Sequence, residues 1–139
     1  IDVSLAPDAQ FTAWEAVVLG RTESAEQVEG LALRDAWTVR QGGALLHADV
    51  TRLAGDLPST AATLAGNRAY ATVLHVAPEA EQALERVRHS LGPQGGASAW
   101  RGKLVARVLA EDGFALRNVL KRVGLALLGP AALPRTWLS

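Results

Sequence analysis

The sequence predicts a mainly β protein with two α-helices, that is, a β-rich α+β fold. Several segments alternate apolar and polar residues, which is typical of half-buried strands. Two stretches in the second half instead repeat apolar residues at helical spacing. Gly42 and Gly43 separate two of the strand-like segments, and this pair predicts a hairpin turn because glycine adopts positive φ without steric cost.

Residues 1–53 predict four strands in an antiparallel meander. The first strand, in "IDVSL", ends at a turn that contains Pro7 and Asp8. The second lies in "FTAWEAVVLG" and the third in "LALRDAWTVR", where apolar residues recur at every second position. The fourth, "ALLHADVTRL", returns after the glycine turn. Residues 54–68 are the predicted connection to the second half, with one helical turn after Pro58.

Residues 69–128 predict two strand–helix pairs. The strand "AYATVLHV" precedes the helix "PEAEQALERVRHSLG", which Gly92 and Pro93 end. The segment "PQGGAS" is a predicted flexible loop, and the strand "KLVARVLA" follows it. Asp112 is the predicted cap of the last helix. The apolar stripe of that helix consists of Leu116, Val119, Leu120, Val123 and Leu127.

Composition excludes several classes of function. The chain contains no cysteine, so it has no disulfide, no thiol nucleophile and no cysteine-based zinc site. Its formal net charge is zero, which gives no global attraction to nucleic acid or to an acidic membrane. The longest apolar stretch, near Leu116–Leu128, is too short to span a bilayer and is interrupted by basic residues. We therefore expect no nucleic-acid partner, no membrane association and a cytoplasmic location.

Charge is distributed unevenly along the chain. Residues 100–139 contain seven basic and two acidic residues, whereas residues 1–99 contain seven basic and twelve acidic residues. One interpretation is two solvated faces of opposite charge. The other is a basic surface near the C-terminus that docks an acidic partner. The candidate partner-binding residues are Arg107, Arg117, Lys121, Arg122, Arg135 and Trp137.

No motif in the sequence predicts an enzyme. The segment "GLALLGP" lacks the lysine and hydroxyl residue of a phosphate-binding loop, and there is no G-x-S-x-G motif. His47 and Asp49 share a strand face and could supply two metal ligands, but a metal site needs a third. We favour an exposed strand face for this pair, and any metal site remains unknown.

Asp35 is unusual because it lies on the apolar face of its predicted strand, between Leu33 and Trp37. A buried carboxylate needs a hydrogen-bonding or charged partner. Two interpretations stay open. A strand bulge could turn Asp35 outward, or Asp35 could pair with an arginine such as Arg21.

Several blocks in order resemble the UreD (also called UreH) family of urease accessory proteins. The first is a strand that ends at Gly20-Arg21, followed by Ala25-Glu26, where the family usually has Gly-Glu. A strand–glycine turn–strand follows, and then a strand that contains an arginine and leads into a helix. The corresponding sequences, with a Pro-Arg terminus last, are "DAWTVRQGGALLHAD", "SAWRGKLVARVLAEDGFALRNVL" and "LPRTW".

This resemblance implies a scaffold and not an enzyme. UreD-like proteins bind apo-urease and recruit UreF, which in turn holds UreG, the GTPase that delivers nickel. The resemblance thus implies metallocentre assembly with no tightly bound cofactor and with nickel in transit. It also implies stacked antiparallel strands within a larger β-rich fold, so that residues 1–139 are a single domain or the second half of a UreD-like protein.

Three residues in the first part of the chain are structural or passage-lining candidates, two of them because of the resemblance and Asp35 because of its place on an apolar strand face. Arg21 would anchor the turn after Gly20 by binding a carboxylate with both prongs of its guanidinium. Glu26 would be that carboxylate or would line a polar passage for the metal. Asp35 is the third structural or passage-lining candidate.

One alternative function stays open. Strand 69–76, helix 78–91, strand 103–110 and helix 112–128 have a β-α-β-α order that could stand alone as a ligand-binding unit. The chain would then be a small-molecule-binding α+β sensor module.

Overall fold

The computed structural model describes residues 1–20, 30–55 and 64–137. The predicted helical turn after Pro58 and the loop with Arg21 and Glu26 lie outside these residues. The described ranges form a β-rich α+β fold, as the sequence predicts. Its strands are β1 (Asp2–Leu5), β2 (Phe11–Val18), β3 (Leu31–Gln41), β4 (Ala44–Gly55), β5 (Ala69–Val76), β6 (Gly95–Trp100) and β7 (Lys103–Ala110), and its helices are α1 (Leu84–Leu91) and α2 (Gly113–Leu128).

The molecule has three layers. Sheet A contains strands in the order β1-β3-β4, and sheet B contains strands in the order β2-β5-β7-β6. Sheet A covers one face of sheet B, where Trp37 and Val39 of β3 pack against Leu74 and Val76 of β5. The helices cover the other face, because the buried residues of α1 and α2 join one core cluster with those of β5 and β7.

The hairpin between β3 and β4 is confirmed, but the predicted four-strand meander is wrong. Gly42 and Gly43 form the two-residue loop, with φ of 56° and 83°. β1, however, pairs with β3 in parallel, and β2 pairs with β5 in the other sheet. Alternation of apolar residues indicates which face of a strand is buried, but it does not indicate which strand is the neighbour.

The predicted flexible loop "PQGGAS" is also wrong, because its glycines begin strand β6. A short 3-10 turn covers Gly92–Gln94, and Gly95 then pairs with Val108 of β7. A side chain at Gly95 would collide with the backbone carbonyl of Arg107, so only glycine permits this close approach of the two strands.

Both helices end as the sequence predicts, and α2 begins directly after its predicted cap, but α1 begins at Leu84 and not near Pro78. A 3-10 turn over Ala80–Ala83 precedes α1. The Asp112 carboxylate caps α2 by accepting a hydrogen bond of 2.7 Å from the Ala115 N–H. Four residues of the predicted stripe are buried and Leu127 is half-buried. None of the helices within the described ranges is both long and apolar enough to cross a membrane.

Each helix also holds the C-terminal turn of the other. Arg86 of α1 donates through Nε to the carbonyl of Ala126 in α2, at 3.4 Å. Arg122 of α2 donates through Nε to the carbonyl of Ser90 in α1, at 3.2 Å. Carbonyls in the last turn of a helix lack partners within the helix, so the two arginines satisfy groups that would otherwise face solvent.

Candidate functional site

Polar side chains lie between the two sheets, where a β-sandwich ordinarily contains apolar residues. They form two clusters, a carboxyl cluster and a cationic cluster. The carboxyl cluster consists of Glu15 of β2, Asp35 and Trp37 of β3, and Tyr70 of β5. The cationic cluster consists of His47 and Asp49 of β4, with Lys103 and Arg107 of β7.

In the carboxyl cluster, one indole donor serves two carboxylates. The Trp37 Nε1–H lies 2.8 Å from Asp35 Oδ2 and 3.2 Å from Glu15 Oε2. Asp35 therefore faces the interior. Its pairing with Thr51 of β4 is regular, and the irregularity of the sheet falls later, between Val39 and Arg40. The outward bulge, one of the two interpretations left open for Asp35, is not formed. The alternative partner, Arg21, lies outside the described residues.

The Glu15 carboxyl group is influenced by its burial and by the neighbouring Asp35 carboxyl group. Burial is the largest influence that raises the pKa of Glu15, and a hydrogen bond with Asp35 and the charge of Asp35 raise it further. The Trp37 indole acts in the opposite direction, because its N–H stabilises the ionised form. Glu15 therefore retains a proton more readily than an isolated glutamate does.

The Tyr70 hydroxyl adds an unused hydrogen-bonding group to the carboxyl cluster. Tyr70 is buried, and its hydroxyl has no hydrogen-bond partner among the residues that the structure describes. Burial raises the pKa of Tyr70, and the charges of Asp35 and Glu15 raise it further. The hydroxyl thus stays protonated. It can donate a hydrogen bond to an oxygen atom, and its own oxygen can coordinate a cation.

In the cationic cluster, two side chains of β7 reach across to β4. Arg107 forms an ion pair with Asp49 and lies within hydrogen-bond distance of the Thr51 and Thr72 hydroxyls, at 3.4 and 3.5 Å. Lys103 donates to the carbonyl of Leu46. Because both cations face sheet A on the same strand, they connect the two sheets along the edge of the sandwich.

Lys103 has no carboxylate partner in the described part of the chain. Its exposed fraction is only 6%, and its ammonium lies 4.7 Å from the centre of the Trp100 ring. Burial lowers the pKa of Lys103, and the nearby charge of Arg101 lowers it further. A carbonyl and an aromatic ring therefore stabilise this ammonium in place of a negative charge.

His47 is buried, with an exposed fraction of 7%, so the expected exposed strand face is wrong. The register shift of the hairpin leaves Leu46 without an opposite residue on β3, and both Leu46 and His47 then contact the interior. His47 Nε2 has no partner within the described ranges, and burial lowers the His47 pKa. The same ranges contain no group of three residues that could hold a metal ion.

The partner-binding candidate Arg107 belongs to the cationic cluster, whereas the other C-terminal candidates lie on the helical side of sheet B, away from the interlayer clusters. Trp137 packs edge-on against Trp14, with ring centres 5.2 Å apart, and Arg117 stacks on the Trp137 ring at 5.0 Å. Arg122 also donates to Asn118 O and Gln94 Oε1. Arg135 is exposed and Lys121 is half-buried. Trp137 therefore anchors the tail within the chain itself.

Sequence reasoning missed the meeting of Glu15 with Asp35 and the burial of Lys103. Phe11, Ala13 and Glu15 occupy alternate positions of β2, and the first two face the interior. The alternation of inward and outward residues could therefore have predicted that Glu15 also faces inward. No signal in the sequence placed it opposite Asp35, because the two residues belong to different sheets. Lys103 is the first residue of a strand and resembles an ordinary strand terminus in the sequence.

Comparison with known families first identifies the class of protein, which is a urease accessory protein. Residues 1–138 match the family model described as UreD urease accessory protein. The chain belongs to the UreD family.

Curated relatives with the same description align along almost the whole chain. The UreD of Rhizobium leguminosarum bv. viciae is 45% identical over 141 residues, which cover 99% of this chain and 52% of the relative. The UreD of Sinorhizobium medicae is 46% identical over 146 residues, with 99% and 53% coverage. The UreD of Agrobacterium fabrum is 41% identical over 140 residues, with 99% and 49% coverage. The chain spans about half the length of the curated relatives it matches.

Proposed function

We propose that this chain acts in urease maturation as a scaffold that aids nickel insertion into apo-urease. In this role it bridges urease to UreF and, through UreF, to UreG. The observation that supports the proposal is membership of the urease accessory family along almost the whole chain. The proposed role is non-enzymatic, requires no tightly bound cofactor and is exercised in the cytoplasm. The chain is then a single domain or the second half of a UreD-like protein.

The carboxyl cluster supports a passage for the metal through the interior. Glu15, Asp35 and Tyr70 present oxygen atoms between the sheets, and oxygen atoms are ligands for divalent cations. A site that stores a metal ion would use more than two carboxylates. A site with only these two therefore suits a cargo ion that must leave again. Asp35 is thus a passage-lining residue in this proposal. Arg21 remains a predicted anchor of the turn after Gly20, and Glu26 remains its predicted carboxylate partner or a passage-lining residue.

An activation assay tests the passage. We expect the double variant Glu15→Gln/Asp35→Asn to lower the nickel content and the activity of urease matured in its presence, without loss of binding to apo-urease. Asp8→Asn, in an exposed turn, is the matched control. Melting curves of both variants establish that the fold is retained. Full nickel loading by the double variant would contradict the passage.

The basic face of α2 supports a docking role. Arg117, Lys121 and Arg122 lie on this helix, and Arg135 follows in the tail. Charges at the rim of an interface mainly accelerate association and lose their effect as salt rises. Two of these cations also have structural roles, because Arg117 stacks on Trp137 and Arg122 caps α1.

A binding measurement tests the docking role. We expect Lys121→Glu/Arg122→Glu, and separately a chain that ends at Ala132, to slow association with UreF at low salt and to differ less from wild type at high salt. Arg34→Glu/Arg52→Glu, at two paired and exposed positions on the outer face of sheet A, is the charge-matched control. A separate Arg122→Lys variant keeps the charge and changes the helix cap. Unchanged association rates for the first two variants would leave the basic face as a solvated surface.

The sensor alternative is not retained. It treats residues 69–128 as an independent unit, whereas β5 pairs with β2 of the first half and the family match begins at residue 1.

A further inference from the structure

We propose that an open trough along β6 binds an extended, acidic segment of a partner protein. The segment pairs with the free edge of β4 and becomes the fourth strand of sheet A. The inference is independent of the proposed function, because it is tested on the chain without urease.

The two sheets stack strand over strand. Trp37 of β3 and Leu74 of β5 belong to one core cluster, and Val3 of β1 and Phe11 of β2 both pack against that cluster. β4 lies over β7, since Asp49 binds Arg107. β6 is the next strand of sheet B, and within the described residues sheet A has no strand above it. One strand position of the sandwich is therefore open.

The position above β6 is accessible in the part of the molecule that the structure describes. A cleft of about 390 Å³ is lined there by residues of β6 and β7. Gly96 and Ser98 are exposed, and 42% of Trp100 is exposed. A methyl group built on Gly96 would meet no atom within 4 Å. The trough thus has space for the side chains of one more strand.

β4 is an edge strand of sheet A, and its outer edge borders this trough. In the part of the chain that the structure describes, β4 pairs with β3 alone over Ala44–Gly55. No described strand pairs with the backbone groups on its other edge, so a strand added alongside can bind them. Strand addition of this kind obtains affinity from main-chain hydrogen bonds and specificity from side chains that enter adjacent pockets.

The basic residues beside the trough favour a negatively charged occupant. The cationic cluster places Lys103 and Arg107 beside the trough, and Asp49 is the carboxylate bound there. The Arg107 side chain remains 47% exposed. Its guanidinium has five N–H donors, and its described partners are one carboxylate and two hydroxyls. An aspartate or glutamate on the incoming strand would bind the remaining donors.

The test uses the isotopically labelled chain and two strand peptides. The first probe is a capped nonapeptide of alternating threonine and valine with a central aspartate, and the second has asparagine at that position. Methylation of the backbone nitrogens along one edge prevents the peptides from pairing with each other. We expect the aspartate peptide to shift the β4 amide resonances and the Trp100 indole resonance, and to bind about fivefold more tightly than the asparagine peptide.

Two variants locate the site. Gly96→Val fills the trough, and we expect it to weaken binding of the aspartate peptide at least about tenfold. Ser4→Val places the same group on the outer face of sheet A and should leave binding unchanged. Equal affinity for both peptides, or shifts confined to other surfaces, would overturn the proposal. Slow hydrogen exchange along the free edge of β4 without peptide would also overturn it, because the chain itself would then cover that edge.

Discussion

The two faces of sheet B differ in chemistry although the same strands form both, because only the face toward sheet A adds polar clusters to its apolar residues. On the helical face, β5 and β7 present Ala71, Val73, Ala106 and Val108, and all four are fully buried. On the face toward sheet A, neighbouring positions of the same strands carry the carboxyl and cationic clusters. The comparison shows where stability and where chemistry are concentrated, because polar groups placed between layers reduce the apolar contact there.

The helical face achieves its close contact through small residues. Alanines on β5 and β7 allow the helices to approach the sheet. A methyl group built on Gly124 of α2 would lie 2.6 Å from a methyl carbon of Leu133 and 3.5 Å from the ring of Trp14. The tail after α2 therefore packs where glycine leaves room. By contrast, the face toward sheet A combines an apolar cluster around Leu74 and Val76 with the long polar side chains of the carboxyl and cationic clusters.

The largest expected effect tests the helical face. Leu104 of β7 is fully buried there, directly after Lys103, which faces sheet A. Leu104→Ala should lower the free energy of unfolding by about 3 kcal/mol, because it leaves a cavity in a closely packed layer. Chemical denaturation measures the change, with Leu127→Ala at a half-buried position of the helical stripe as control. If Leu104→Ala lowers the free energy of unfolding by less than the control does, the helical face is not the stabilising one.

A second, smaller effect tests how the tail closes that face. Trp137→Ala removes the edge-on contact with Trp14 and the stacking of Arg117. We expect a loss of about 2 kcal/mol. The matched control is Trp100→Ala, because Trp100 is on the opposite face and partly exposed. If both tryptophan variants melt together, the tail contributes no more than an exposed ring does.

The carboxyl cluster should make stability depend on pH. Because folding raises the pKa of Glu15, the folded state holds this proton more tightly than the unfolded state. The contribution is fully present below the unfolded value of 4.5 and is lost as pH rises through the raised folded pKa. Glu15→Gln removes this dependence. At pH 7 the variant should melt about 3 °C above wild type, and at low pH the two should melt at the same temperature. The exposed Glu79→Gln is the control, and parallel curves for Glu15→Gln and wild type would contradict the assignment.

The smallest effect is expected at the buried lysine. Lys103→Met replaces an ammonium without a carboxylate partner by an apolar side chain of similar length. Since burial of the charge is itself unfavourable, stability should stay within about 1 kcal/mol of wild type. Thermal melting of this variant beside Leu104→Ala compares the two faces at adjacent residues. A loss as large as that of Leu104→Ala would mean that the cationic cluster stabilises the sandwich as much as the core does.

Sequence patterns predicted the features that depend on neighbouring residues. Period two identified the buried face of β3 at Trp37 and Val39, and helical spacing identified the stripe on α2. The Asp112 cap and the Gly42-Gly43 turn were predicted because a few adjacent residues determine them. Features of this kind need no knowledge of the rest of the fold.

Features that depend on distant residues were not predictable in the same way. β6 consists of glycine, alanine, serine and one tryptophan, so its strand propensity is low and its pairing with β7 determines its structure. The separation of β2 from β1 and β3 likewise depends on which sheet each strand joins. Glu15 and Asp35 meet because the two sheets stack, which no local pattern encodes.

The reciprocal arginine contacts of α1 and α2 have a consequence for how the molecule opens. Arg86 binds the end of α2, and Arg122 binds the end of α1. If one helix detaches from the sheet, the other loses the donor that satisfies its last carbonyls. The two helices should therefore open as one cooperative unit, so that amide protons of both report a single opening free energy. Sheet B would keep its helical cover as a whole or lose it as a whole.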